Sequence, residues 1–304
     1  MLIAIDHGNK QMKTVHCPPF ISGLKESSVK PFGKSILKYQ ERFYMLSNER
    51  IPYMRDKTED ERFFALTLFG IAGELQSMGG FSEDVTRVQL AVGLPPAHYG
   101  AQNRSFREYF SGRDVVTFDY QGKGHAIYID DVRCYPQAYA AAVTRLKELM
   151  VYPRALIVDI GGFTADYLLM RNGAADLSVC SSLENGVILL YNRICTKVNS
   201  EFNMLLQETD IDAILKGQGA TYPPSVVLLV EQMAQDFVND LLNRLREQML
   251  DLSSGVVVFV GGGAILLRRQ IEASAKIGKA IFVEDINANA RGYEFLYQSE
   301  TMSR

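Results

Sequence analysis

The chain has 304 residues, 47% of them hydrophobic and 22% charged, with a net charge of −3; it is too apolar to be disordered and long enough for two domains that need no disulfide staples. With 32 basic against 35 acidic side chains, it lacks the electrostatic footprint of a protein that binds nucleic acid directly. No stretch approaches the ~20 apolar residues of a membrane helix, Asp6 breaks the first apolar run too early for a signal peptide, and Cys17, Cys134, Cys180 and Cys195 form no CxxC pair, so a cytoplasmic protein with reduced cysteines and no membrane contact is expected.

Along the chain, Ile3-Ala-Ile-Asp6 reads as an apolar strand ending in a carboxylate. His16–Cys17 is the one adjacent His/Cys pair, and with no second pair at ligand spacing it is read as packing, not as a metal site. Residues 24–60 are polar with short strand-like pieces. A helix follows over 59–78, with Phe63, Phe64, Leu66, Leu68, Ile71 and Leu75 on its apolar positions and Gly79-Gly80 as its stop. A strand over 85–92 closes at Gly93-Leu-Pro-Pro96. A short helix over 104–110, strand-like pieces through Ile129 and an Ala-rich helix over 138–150 complete the first half. The pattern then restarts: a short apolar run over 155–158, a turn, Tyr167-Leu-Leu-Met170 and a second turn at Asn172-Gly173. Helices are expected over 186–203 and 225–250, the latter introduced by Pro223-Pro224. The buried strand Val256-Val-Val-Phe-Val260 leads into Gly261, Gly262 and Gly263, a helix around 264–275, a strand over 280–283 and a terminal helix over 289–297.

One phrase occurs twice, half a chain apart: strand, Asp, any residue, Gly, at Asp6-His-Gly8 and at Asp159-Ile-Gly161. In the first turn Gly8 lets the backbone approach a bulky anion, the amides of such a bend can converge as an anion nest, and Asn9 and Lys13 add donors. Asp6 would repel a phosphate unless a cation lay between them, which points to Mg²⁺ held through water. An ordinary hairpin with a chance carboxylate fits the same residues. The second turn repeats the parts: Asp159, the adjacent Gly161 and Gly162, and the Thr164 hydroxyl. Gly261, Gly262 and Gly263, between a strand and a helix, could lie flat against a ring or sugar, although strand–glycines–helix is also common packing. Neither GxGxxG nor a P-loop occurs.

The order and spacing of these three elements resemble the actin-like ATPase superfamily, which also holds sugar kinases and heat-shock chaperone ATPase domains. The Asp6 hairpin looks like its first phosphate motif, the Asp159 hairpin like its second, and the three glycines like its adenosine motif. Val92-Gly-Leu-Pro-Pro96 with Tyr99, Cys134-Tyr-Pro-Gln137 with the alanines 140–142, and Asn289-Ala-Arg-Gly292 are similar to segments of the bacterial ParM/StbA plasmid-segregation actins.

The resemblance implies an α/β, actin-like (duplicated ribonuclease H-like) two-domain fold with a nucleotide cleft between the halves. Domain I would span 1–150 with a smaller inserted subdomain at about 24–84. Domain II would span 151–285 with a helical insertion at about 187–250, and a C-terminal helix over 286–304 would pack back on domain I. By position, Asp6, Gly8, Asn9 and Lys13 would hold phosphates from one side and Gly161, Gly162 and Thr164 from the other. Asp159 would orient the metal shell or the attacking water, and Gln137 would position that water. Gly186, Gly261, Gly262 and Gly263 would lie at the nucleoside, and Asp6 and Asp159 would hold Mg²⁺ through water. Ala165-Asp166 stands where eukaryotic actins carry a histidine, which removes one candidate for positioning water.

The implied activity is an ATPase, with GTP as the alternative nucleotide. It would polymerise head to tail into nucleotide-dependent filaments that segregate plasmid or other mobile DNA through a DNA-bound adaptor protein. A small-molecule kinase of the same superfamily and a non-polymerising nucleotide-binding adaptor are the alternatives. The kinase would need a second pocket with a base, and His7, His16, His98 and His125 supply no extra cluster.

Overall fold

The computed structural model describes residues 1–33, 35–79 and 84–302. Its contacts divide the chain into two compact units, Met1–Thr144 with Asn287–Arg304, and Arg145–Ile286.

The first unit is built on one sheet. Its strands are β1 (Leu2–His7), β2 (Gln11–Thr14), β3 (Phe20–Ile21), β4 (Leu24–Ser27), β5 (Ile36–Tyr39), β6 (Arg42–Leu46), β7 (Thr86–Leu94), β8 (Val116–Tyr120) and β9 (Lys123–Pro136), in the order β3-β2-β1-β7-β9-β8-β5-β6-β4. β1 pairs antiparallel with β2 and parallel with β7, which pairs parallel with β9. Parallel strands are covered on both faces, and β1 shows it residue by residue. Ile3 and Ile5 point into a core with Phe63, Phe64 and Leu66 of α1 (Glu61–Ser77), while Ala4, between them, faces Ala290, Tyr293 and Tyr297 of the C-terminal helix (Ala288–Met302). Small residues on that second face let the last helix come close. A Cβ on Gly93 would overlap the Tyr293 ring, and one on Gly292 would strike the Ala140 carbonyl.

The second unit carries β10 (Arg154–Ile160), β11 (Ala165–Arg171), β12 (Ala174–Leu183), β13 (Val256–Val260) and β14 (Lys279–Phe282), in the order β12-β11-β10-β13-β14. It repeats the opening of the first: a hairpin, β10 with β11, whose leading strand pairs parallel with a later one, β13. Asn172 and Gly173 both take positive φ, 48° and 82°, as a two-residue type I′ hairpin turn requires. Leu156, Val158, Val257 and Phe259 pack against the long helices of this unit through Leu190, Ile194, Phe237 and Leu241.

Several elements differ from the sequence reading. The helix expected over 104–110 begins at Pro96 and runs to Ser111, as α2, because proline at the first helical position is pre-organised for the helix; its polar first turns, with Phe106 and Phe110 the apolar residues buried, hid the period. β7 continues through Gly93 and Leu94, and β9 runs unbroken to Pro136, absorbing Asp130-Asp131 through a register shift against β7. The helix expected over 138–150 is two pieces, α3 (Tyr139–Val143) and α4 (Leu146–Leu149), and the boundary between the units falls between them. Ala138 stands outside the helix in a left-handed conformation. The two helices expected over 186–203 and 225–250 are α5 (Val187–Phe202) and α7 (Pro224–Glu247), with α6 (Glu208–Leu215) between them. The helix after the glycines starts earlier and breaks at Leu267 into α8 (Gly262–Leu266) and α9 (Arg268–Glu272). Gly79 takes φ +70° after α1; Gly80, the other half of the expected stop, lies outside the described residues. Among the described residues, no helix is long and apolar enough to cross a membrane.

Candidate functional site

In the first hairpin Asp6 and Lys13 are direct cross-strand partners. The Asp6 carboxylate, 2% exposed, accepts from Lys13 Nζ at 3.0 Å on Oδ2 and from Gln137 Nε2 at 2.9 Å on Oδ1. A carboxylate only accepts, so this contact fixes which end of the Gln137 amide faces it. Gln137 Oε1 has no protein donor among the described residues.

The turn itself has an ordered polarity. The His7 carbonyl accepts from Lys57 Nζ, the Gly8 carbonyl from Ser22 Oγ, and the Lys10 carbonyl from the Ser22 amide at 3.2 Å. In a trans peptide, C=O and N–H point opposite ways, and no peptide bond among the described residues is cis. The Gly8 amide therefore points away from Lys57 and the Asn9 amide away from Ser22, and successive N–H groups of this kind are what an anion nest is built from. The Asn9 side chain makes no hydrogen bond among the described residues. A Cβ on Gly8 would press into the Gln11 carbonyl, so glycine is needed for the bend.

The second hairpin uses the same device with different partners. The amide of Gly161 donates to the Thr164 carbonyl at 2.8 Å and closes the turn. The carbonyls of Gly161, Gly162 and Phe163 accept from the amides of Val187, Ile188 and Gly186 at 3.1, 2.9 and 2.9 Å, so the start of α5 caps the turn. By the same peptide geometry the amides of Gly162, Phe163 and Thr164 face away from α5 together. Gly186 makes this docking feasible, since a Cβ there would collide with the Gly162 carbonyl.

The cross-strand partner of Asp159 is Asp166, at the same seven-residue spacing that joins Asp6 to Lys13. Both are buried, 7% and 4% exposed, and like charges in register repel. Asp166 is satisfied by hydroxyls: Ser182 Oγ donates to Oδ1 and Thr164 Oγ1 donates to Oδ2 at 3.1 Å. The Thr164 proton is thus directed at Asp166, and its oxygen presents lone pairs elsewhere.

The glycine run lies over the same carboxylate. Gly261 takes φ 87°, ψ 161°, a conformation nearly confined to glycine, and a Cβ on it would run into Asp159 Oδ1. A Cβ on Gly263 would meet Ile160 and Val187 at 2.6 and 2.7 Å, whereas one on Gly262 would meet only Ile286, at 3.8 Å.

The structure thus gathers Asp6, Gly8, Lys13 and Gln137 in the first unit, with Asn9 on the same turn, and Asp159, Gly161, Gly162, Thr164, Gly186, Gly261 and Gly263 in the second. Sequence reasoning missed Ser22, Lys57 and Ser182, which lie on other segments, and passed over Asp166 as a partner for Asp159 although its spacing repeats that of Lys13. The His16 amide and Nδ1 both lie 2.7 Å from the buried Glu74 carboxylate. Among the described residues no group of three or more His, Cys, Asp and Glu side chains could enclose a metal. What fits the second hairpin is a hydrated divalent cation. Two facing carboxylates want positive charge, and Mg²⁺ keeps most of its waters and takes its other ligands from phosphate. The first hairpin already has its cation in Lys13.

Two family models match, one on each half of the chain: "Actin like proteins N terminal domain" over residues 4–139 and "Archaeal actin homologue MreB-like, C-terminal" over residues 157–273. Solved structures match end to end. An archaeal actin homologue, Ta0583, in complex with ADP is 17% identical with a TM-score of 0.73, covering 98% of this chain and 99% of that one. Bacillus thuringiensis ParM with ATP is 12% identical with a TM-score of 0.67, covering 99% of both. An Alp12 filament subunit is 17% identical with a TM-score of 0.66, covering 98% of both. No curated protein sequence matches. With an actin-family model on each half and the two-sheet fold of the actins throughout, the chain belongs to the actin-like proteins.

Proposed function

We propose that this chain is an actin-like ATPase that assembles into filaments in the presence of Mg²⁺ and ATP and serves the segregation of plasmid or other mobile DNA. The observation that carries the reading is the paired polarity of the hairpins: in each turn successive carbonyls are tied down by hydrogen bonds, which leaves the successive amides pointing away from those donors. Each hairpin is then a phosphate-binding turn. The amides of Gly8 and Asn9 with the Asn9 side chain serve one, and the amides of Gly162, Phe163 and Thr164 serve the other. ATP as the nucleotide is supported by the relatives solved with ADP and with ATP, and assembly by the relative solved as a filament.

Magnesium, when bound, would supply charge to the phosphate oxygens, and Asp159 and Asp166 would be the residues that hold its waters. Gln137 would act on the attacking water. Its Nε2 is held by Asp6, so its Oε1 accepts a hydrogen bond from the water and orients a lone pair of that water toward the phosphorus. A neutral amide orients water but removes no proton, so hydrolysis will be slow. Asp159 is assigned the role of fixing the metal shell, and Gly261, Gly262 and Gly263 the adenosine side. Head-to-tail contacts do not close on themselves and so grow as filaments. The link to DNA would run through an adaptor, since the near-neutral charge gives no footprint for nucleic acid.

The test is calorimetry with Mg²⁺-ATP, followed by sedimentation, electron microscopy and phosphate release on the same preparation. Binding, pelleting filaments and slow phosphate release are expected, with GTP run beside ATP to rank the two. Absence of nucleotide binding overturns the whole reading. Binding and hydrolysis without assembly reduces it to the ATPase, and phosphate transfer to a sugar or acetate in place of water makes it a kinase.

A further inference from the structure

The motif Asn289-Ala-Arg-Gly292 has no part in the reading above, yet its first residue touches the backbone beside Gln137. Ala138 takes φ 62°, ψ −57°, and the Tyr139 amide donates back to the Gln137 carbonyl at 2.6 Å. This is a γ-turn of the positive-φ kind, which is rare and strained for any residue with a Cβ. Such a conformation persists only where its surroundings hold it. Two anchors do so. The Gln137 amide donates to the Leu94 carbonyl at the end of β7, at 2.8 Å, and the Ala138 amide donates to Asn289 Oδ1 at 3.0 Å. The second bond is buried, with Ala138 fully enclosed and Asn289 7% exposed.

Asn289 is itself set by packing. Three residues on, Gly292 lets the C-terminal helix lie against the Ala140 carbonyl, and Tyr293 fills the space that Gly93 leaves. The side chain of Gln137 then reaches Asp6 from the far side of this turn. A relaxed Ala138, at negative φ, would rotate the Gln137 peptide and swing the amide away from Asp6.

We infer that Asn289 is a positioning residue: it clamps the strained turn at Ala138 and so holds the Gln137 amide on Asp6, in the orientation that aims its Oε1 at the attacking water. The inference rests on the proposed role of Gln137 in hydrolysis, but its structural half stands without it.

The test uses the full chain with Asn289→Ala, Asn289→Asp, Gln137→Ala and the double variant Asn289→Ala/Gln137→Ala. Selective ¹⁵N labelling of glutamine reports the Gln137 side-chain amide. In the parent chain it is protected from exchange by Asp6; in Asn289→Ala it exchanges at the rate of exposed glutamines, and in Asn289→Asp, which keeps the acceptor, protection returns. An unchanged Gln137 signal in Asn289→Ala overturns the inference whether or not the protein hydrolyses ATP. In phosphate release, Asn289→Ala lowers kcat toward the Gln137→Ala value, on the order of 10²-fold for a misplacement of about 1 Å, with KM unchanged. The double variant is no slower than Gln137→Ala alone. Additive losses show that Asn289 acts elsewhere and overturn it too. A parent chain without ATPase activity sinks the functional reading, and the exchange measurement still decides this one. Where Asn289→Ala does not fold, Asn289→Ser, too short to reach the Ala138 amide, takes its place.

Discussion

The three consecutive glycines after β13 are expected to respond to alanine in three different ways. At Gly261 the backbone sits at φ 87°, ψ 161°, and a Cβ would collide with Asp159 Oδ1 and approach the Ile160 carbonyl to 2.9 Å. The conformation alone costs about 1–3 kcal/mol for a residue with a side chain, and the crowding about 1–3 kcal/mol more. The gain from stiffening the unfolded chain, about 0.4–1 kcal/mol, offsets little of this. Gly261→Ala should therefore lose about 2–4 kcal/mol. At about 2–4 °C per kcal/mol for a unit of this size, its Tm falls by roughly 5–15 °C. Gly263→Ala meets no unfavourable φ but lands 2.6 Å from the Ile160 carbonyl and 2.7 Å from Val187 Cγ1, an overpacking loss of about 1–3 kcal/mol. Gly262 lies in α8, where a Cβ would make only ordinary contact with Ile286, so Gly262→Ala should be neutral or gain up to about 1 kcal/mol from helix propensity. Urea unfolding followed by circular dichroism gives the order, and calorimetry with Mg²⁺-ATP separates packing from binding. If adenosine lies on this run, Gly262→Ala weakens the nucleotide while the fold is intact. A Gly261→Ala midpoint equal to the parent's refutes the packing argument, and unweakened ATP binding by Gly262→Ala removes the adenosine role.

Asp159→Ala should lower phosphate release by about 10²–10³-fold, the usual loss for one well-placed transition-state group; normal turnover would remove the assignment of the second hairpin. Lys13→Met leaves the enclosed Asp6 carboxylate without its cation and should lose about 3–5 kcal/mol in urea unfolding. Adding Asp6→Asn to Lys13→Met should recover most of that loss; a double variant as weak as the single would show that the pair is not coupled. His7 is fully buried, and desolvation, followed by the Lys57 charge, lowers its pKa from 6.5 to about 3. The unfolded chain therefore binds a proton that the folded one refuses. Stability is intact above about pH 6.5 and falls by up to about 1.4 kcal/mol per pH unit from there toward pH 3. His7→Gln should flatten that slope in unfolding curves taken between pH 4 and 7, and an unchanged slope would assign it to other groups.

Much of the fold was legible because it rests on apolar runs and on turn residues. The hairpins at Asp6 and Asp159, the buried helix beginning near Asp60 and the strand before the glycines all carry their signal in consecutive residues. The parts that were not legible depend on contacts distant in the chain. Nothing in Cys134-Tyr-Pro-Gln-Ala138 marks an alanine at positive φ; the turn exists because Leu94 and Asn289 hold it, and an alanine-rich stretch reads as continuous helix. The donors that polarise the first turn, Ser22 and Lys57, are surface-type residues in a polar stretch. Asp166 was open to recognition by its spacing alone, but only the strand register shows that it faces Asp159 as Lys13 faces Asp6. Gly186 illustrates a different gap: the resemblance placed it at the nucleoside, while the close approach of α5 to the Gly162 carbonyl, which needs a glycine there, shows only in coordinates.

The return of the chain to its first sheet has a consequence for biosynthesis. The face of β1 and β7 that carries Ala4, Ala91 and Gly93 is sealed by residues 288–302, so on the ribosome it stays uncovered while the whole of the second unit is translated, a delay of about 7–28 s at about 5–20 residues per second. Because the bond from Ala138 to Asn289 also waits for that helix, a nascent chain can own a finished Asp6 hairpin yet lack a settled Gln137. Under the reading proposed above, a chain that has not yet docked this helix would not hold Gln137 in place for hydrolysis.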